Sequence, residues 1–508
     1  MNFSKLVGLS SALAVSAMSL VAQEVNPVEL RKQLEELLRV QKQQAEQIES
    51  LKKQIEVLKG QPAIPGAKAA TPDPKLEELE RRVSELTDER ISKPWRPGDP
   101  IGLVRAGQSY LNLSLDGLFA VGGSTANDLG ALQPGGHDPN QRGFSVQNIE
   151  AVFEGIVDPY FRGQANLIYG LSAAGESTFE LEEAYLESLS LPGNLQLKAG
   201  QFFTEFGRHN PVHPHAWSFA DQPLINGRMF GADGLRNPGA RLSWLLPTPF
   251  YSELSFTVQN GQGETAESFR SDHGGGVFLG RPQTARGASA LRDFIFTPRW
   301  QASWELTDAQ TLLVGGSAAF GANAAGSDTE TQIHGADLTW KWKPANHTKG
   351  FPFVTWQTEA MLRKYQVAAY NNAADDFNAS GAVGDVGLVG FADEPDVFGD
   401  ASIRFVPRET LTDYGFYTQV SYGFRPGWVA GARWDYVTSD RAQYENLFGI
   451  DAQRDTRWRL SPNLTWHPSE FSKVRLQYNY DQRRHIGVDH SLWLQFEFLL
   501  GSHGAHKF

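Results

Sequence analysis

Four arginines late in the chain, Arg433, Arg457, Arg459 and Arg475, each stand next to apolar residues in segments of alternating polarity. Where every second side chain meets water, such guanidinium groups share one wet face, and their donor forks suit phosphate or carboxylate. Arg162 and Arg241 hold comparable positions earlier in the chain. Lined up along a lumen, these six would create a positive field that guides anions. A ladder of ion pairs with Glu253, Glu305, Asp337, Asp435 and Asp481, bracing a wall, fits the same residues equally well.

Three histidines, His209, His213 and His215, lie within His-Asn-Pro-Val-His-Pro-His, and His503 and His506 stand near the end. Imidazole binds zinc, nickel or copper. Here Pro211 and Pro214 impose an extended chain, and the spacings of the three histidines do not place them on one helical face. No carboxylate sits at a telling offset. The preferred reading is therefore structural or pore-lining, with no metal and no other cofactor, and metal binding by His209, His213 and His215 is the second reading. Catalysis is not expected. The chain has no nucleophile elbow and no phosphate-binding glycine loop before a helix, and the neighbours Glu182 and Glu183 would project to opposite faces of a strand.

The elements that must position these groups are strands. Val474, Leu476, Tyr478 and Tyr480 alternate with Arg475, Gln477, Asn479 and Asp481, and Leu492, Leu494, Phe496, Phe498 and Leu500 follow on one face. Trp300, Ala302, Trp304 and Leu306 oppose Gln301, Ser303 and Glu305; Leu338, Trp340 and Trp342 oppose Asp337, Thr339 and Lys341. A succession of such strands can cover every backbone donor and acceptor in lipid only by closing on itself. The fold class is thus all-β, a transmembrane antiparallel β-barrel over 103–508. At about 22 to 26 residues per strand with its loop, it should hold about 16 to 18 strands, enough for an aqueous channel. A soluble sandwich fits less well, since its aromatics would point into a dry core. Gly- and Asp-rich interruptions at 122–141, 207–238, 261–293, 368–400 and 439–456 read as long loops, and the stretch from Gly207 to Pro238, which carries Trp217 and four prolines, is the candidate to fold inward.

An α-helical coiled coil is expected ahead of the barrel. Residues 1–22 read as a signal peptide, with Lys5 before an apolar run that ends Leu20-Val21-Ala22. Over 23–60 a seam of Leu30, Leu34, Leu37, Ile48, Leu51, Ile55 and Leu58, with Gln41 and Gln44 as polar layers, needs a partner helix. A proline-rich linker, 61–102, contains a second short helix at 75–90. The 508 residues include 50 glycines and no cysteine, and the formal net charge is -12, which excludes thiol chemistry, disulfides and a basic nucleic-acid surface. The chain ends on an aromatic residue, Phe508, read as a barrel C-terminal signal.

The run Ala199-Gly200-Gln201-Phe202-Phe203-Thr204-Glu205-Phe206-Gly207, the repeated hairpins and terminal Phe508 together resemble the phosphate-selective porin O and P family of outer-membrane channels. That resemblance implies a trimeric, 16-stranded passive channel with basic residues guiding anions such as phosphate, although the family's arginine ladder and lysine clusters cannot be matched here residue by residue. The function expected is an outer-membrane porin for small hydrophilic solutes. Its expected partners are outer-membrane lipid, two further copies of itself, the barrel-assembly machinery and, through a periplasmic coiled coil, the cell wall. A metal-related uptake receptor and an envelope tether anchored by a barrel are the alternatives.

Overall fold

A computed structural model describes Ser50 and residues 99–501, except 107–108, 157, 173–174, 272–276, 286 and 372–404. The expected signal peptide, the coiled-coil seam from Leu30 to Leu58, the second short helix and Phe508 lie outside the described residues.

Sixteen strands close into a ring. In chain order they are β1 (Ser109–Ser124), β2 (Gly143–Ile156), β3 (Phe161–Leu171), β4 (Ser177–Ser188), β5 (Leu195–Phe203), β6 (Arg236–Leu245), β7 (Tyr251–Gln259) and β8 (Ile295–Thr307). The second half runs β9 (Gln310–Ala322), β10 (Glu330–Trp342), β11 (Phe353–Val367), β12 (Glu409–Arg425), β13 (Trp428–Ser439), β14 (Arg457–Ser469), β15 (Ser472–Arg483) and β16 (Gly487–Leu500). Each strand pairs antiparallel with its neighbour in sequence. The ring is sealed where β1 meets β16, from Leu115 opposite Leu500 to Ser124 opposite Ser491. A short strand, Ile101–Ala106, turns back onto the start of β1 and continues the edge that β16 leaves uncovered.

One end of the ring carries short turns, as at 308–309, 426–427 and 470–471, and the other carries the long loops. Outer-membrane barrels of this construction keep their short turns on the periplasmic side. Period-two alternation sets which side chains point out. Trp300 and Leu476 are 41% and 46% exposed, whereas their neighbours Arg299 and Arg475 are 4% and 3% exposed. The usual relation of polarity to burial is inverted, as it must be for a protein whose outer solvent is hydrocarbon.

The interior is filled from the loop end. A helix, α1 (Leu224–Phe230), follows Pro223 and stops at Gly231, whose positive φ breaks the helical path. Its Leu224, Ile225, Met229 and Phe230 pack with Phe206, Leu235, Phe269, Ile333, Met361, Tyr417 and Val437 in one buried apolar cluster against the inner wall. At the loop end a second cluster joins loop residues Phe278, Leu279 and Tyr444 to Tyr365 and Val367 of β11 and Leu411 of β12.

Candidate functional site

The segment between β5 and β6 enters the lumen and crosses it. Gly207 makes the entry possible: its φ of +62° favours glycine, and a Cβ there would run into the Glu359 carboxylate. Its N–H donates to Ser317 Oγ at 3.1 Å, while the N–H groups of Arg208 and His209 donate to Glu359 Oε2 at 3.2 and 3.3 Å. The Tyr417 hydroxyl donates to the same oxygen. One carboxylate on β11 thus holds the first turn of the loop.

The loop then docks on the far wall. Arg433 donates to Asp221 Oδ1 at 2.6 Å and to Asp435 at 2.8 Å, Arg459 lies 3.3 Å from Asp221, and Gln477 and Asn479 donate to the same carboxylate. Burial would raise the Asp221 pKa, but Arg459 and Arg433 outweigh it and hold the group at about 2. Loop carbonyls also accept from cations of this wall: Lys473 donates to His215, Arg475 to Trp217 and Arg459 to Gln222, each at 2.7 Å. Such charge-assisted bonds are roughly twice as strong as neutral ones. A second inward segment meets the loop, where Asp138 accepts the N–H groups of Gly135 and Gln222 at 2.8 Å. Burial and then the Asp221 charge raise its pKa to about 6.

The base of the loop carries the histidines, and these part company. His209 tilts against the Trp217 ring with centroids 4.8 Å apart, and burial followed by the Arg433 charge depresses its pKa to about 3. His213 instead lies among three glutamates: Nδ1 is 2.8 Å from Glu182 and 3.4 Å from Glu150, and Nε2 is 2.9 Å from Glu183. Burial disfavours its charge, but Glu150 and Glu182 prevail and raise its pKa well above the usual histidine range. His215 Nδ1 is 3.1 Å from Glu150.

Glu182 and Glu183 both face His213, against the expectation that adjacent strand residues point apart. The cause is a β-bulge: Asn166 pairs with Glu183 and Leu167 with Leu181, so Glu182 is the extra residue and turns inward with its neighbour.

All six arginines singled out from the sequence face inward. Arg433, Arg457, Arg459 and Arg475 share the β13–β15 wall, and Arg162 and Arg241 lie on the opposite side, at β3 and β6. Arg457 is bound by Asp481 through Nε at 2.8 Å and by the Leu132 carbonyl, and Arg475 also donates to Gln495. Arg241 pairs with Glu205 and Glu187; Arg162 binds Glu187 at 2.5 Å and keeps 34% of its side chain exposed. Their partners are in part those foreseen, Asp435 and Asp481, in part residues of the inward segments, and in part other wall residues, Glu187 on β4 and Gln495 on β16. Asp221, Glu150 and Glu359 were not foreseen. A lone acid in a loop carries no periodic signal, and only the inward turn at Gly207 brings Asp221 to the far wall.

No known family's sequence profile matches the chain. A protein of Aquifex aeolicus (strain VF5), described only as uncharacterized, is 26% identical over 398 residues, 74% of this chain and 73% of that one. Among solved structures, the outer membrane channel DcaP of Acinetobacter baumannii aligns over 78% of this chain and 99% of its own, with a TM-score of 0.49 at 13% identity. OmpT, an outer membrane protein of Vibrio cholerae, covers the same shares at a TM-score of 0.43 and 7% identity. An anion-selective porin from Comamonas acidovorans spans 77% of this chain and all of its own, with a TM-score of 0.42 and 7% identity.

Proposed function

We propose that this chain is a passive outer-membrane channel for small hydrophilic solutes, narrowed by the loop that leaves β5 at Gly207. One observation carries the reading. A closed ring of sixteen strands has an apolar outer face and a charged inner one, and a loop anchored at Glu359 reaches across the lumen to Asp435 and Arg433. A barrel serving only as an anchor needs few strands, whereas sixteen leave room for an aqueous channel. Any preference for anions, including phosphate, is expected to be weak, because Arg433, Arg457 and Arg459 are already paired with the carboxylates of Asp221, Asp435 and Asp481.

In this reading the barrel sits in outer-membrane lipid as a homotrimer delivered by the barrel-assembly machinery, with the coiled coil in the periplasm. Purified full-length protein in a planar bilayer tests it. A channel conducts in steady, equal steps; a sealed membrane over many insertions would leave the envelope tether as the better reading.

A further inference from the structure

The glutamates around His213 form the one group of carboxylate and imidazole ligands among the described residues whose atoms converge as a metal requires. One ligand atom each from Glu150, Glu182 and His213 lies within 4.8 Å of the others. The separations from His213 Nδ1, 2.8 Å to Glu182 and 3.4 Å to Glu150, match the edges of a coordination shell whose metal–ligand bonds are about 2.0–2.2 Å.

Two further features point the same way. Glu182 is wholly buried and its oxygens lie 2.8 Å from His213 Nδ1 and 3.5 Å from His137 Nε2, yet neither contact has the geometry of a hydrogen bond. Buried polar atoms normally find such a partner. The orientation of the ring is also set from behind. Its Nε2 lies 2.9 Å from Glu183 Oε2, whose other oxygen accepts the Phe203 N–H. With the Nε2 proton given to Glu183, the Nδ1 lone pair points at Glu150 and Glu182, the arrangement in which a carboxylate behind a histidine orients it for metal. Glu150 is itself positioned, since Asn166 donates to its Oε1 at 2.5 Å.

We propose that Glu150, Glu182 and His213 form a binding site for one divalent first-row transition-metal cation, with Glu183 as the positioning residue behind His213. Two carboxylates and one imidazole suit zinc or manganese better than the softer metals that thiolates select. The cation would replace the proton on His213, neutralise the two buried glutamates, and tie the base of the inward loop to β2 and β4. The β-bulge at Glu182 is what makes the set possible, because without the extra residue that carboxylate would face lipid.

The test uses untagged, chelator-treated full-length protein in detergent, titrated with zinc in a calorimeter. About one zinc per chain is expected, with a buffer-dependent heat that reports proton release as His213 becomes a ligand. Glu182→Gln should abolish that site, Glu183→Gln should weaken it by about 10- to 100-fold, and His503→Gln with His506→Gln should leave it intact. Zinc binding that survives Glu150→Gln with Glu182→Gln, or no saturable binding at all, overturns the proposal. A second readout needs no variant: cobalt should bind the wild type at about one per chain and be displaced by one equivalent of zinc, and cobalt that zinc does not displace would count against a single shared site. Neither readout depends on conductance, so the site and the channel can fail separately.

Discussion

The Asp221 carboxylate, on a loop that leaves the barrel between β5 and β6, lies 2.6 Å from the Arg433 guanidinium on β13, across 212 residues of sequence. That pair joins two sides of the ring through its middle, and its partners Arg459, Gln477 and Asn479 make it the main fastening of the loop.

Asp221→Asn should therefore loosen the loop. Breaking a buried pair costs about 3–5 kcal/mol because the partner charge is left uncompensated, and here two guanidiniums lose their shared acid. Single-channel recordings should show larger and noisier steps than the wild type. Traces of unchanged size and noise would mean that the loop does not set the width of the path.

Selectivity separates the two readings of the arginines. Arg457→Gln leaves Asp481 without its cation and should shift the zero-current potential across a salt gradient towards cations. If Arg457 braces the wall, adding Asp481→Asn should restore most of the original potential, whereas an arginine acting directly on passing anions would leave the double variant short of anion preference.

Acid and alkali should act on the loop through different histidines. The folded pKa of His213 is raised above its usual 6.5, so its contribution is complete below about pH 6.5 and is lost as pH climbs through the raised value. His209 has a folded pKa of about 3, so the unfolded chain takes up the proton first and stability falls as pH drops below about 6.5. Thermal melts of metal-free protein across pH should show His213→Gln flattening the alkaline limb and His209→Gln the acid one. If neither variant changes its limb, these charges do not govern the loop.

The heptads ahead of the barrel make a separate prediction. A peptide of residues 24–60 should be helical and oligomeric, because the seam from Leu30 to Leu58 is apolar on one side only. A helical monomer at high concentration in sedimentation would contradict it.

The strands were legible from Trp300, Leu338, Leu476 and their alternating neighbours, because a period of two is a local property and lipid enforces it along each strand. The inward direction of the six arginines followed from the same parity. Their partners could not be read this way. Asp221 meets Arg433 only after the chain has left the barrel wall, and Glu182 escapes its parity because an inserted residue resets the pleat. The histidine motif gave no sign that its members part company: His209 packs against the Trp217 ring, whereas His213 lies among Glu150, Glu182 and Glu183.

The seam between β1 and β16 also bears on the order of events in folding. Every other ladder of the ring joins strands that are neighbours in sequence, so each hairpin can form as soon as its two arms exist. The seam pairs Leu115 with Leu500 and must wait for the last strand, with two bare edges open meanwhile. The ring can therefore shut only when both ends of the chain are in place, and the loop that ties β5 and β6 to Arg433 and Arg459 fastens the barrel across its middle independently of that seam.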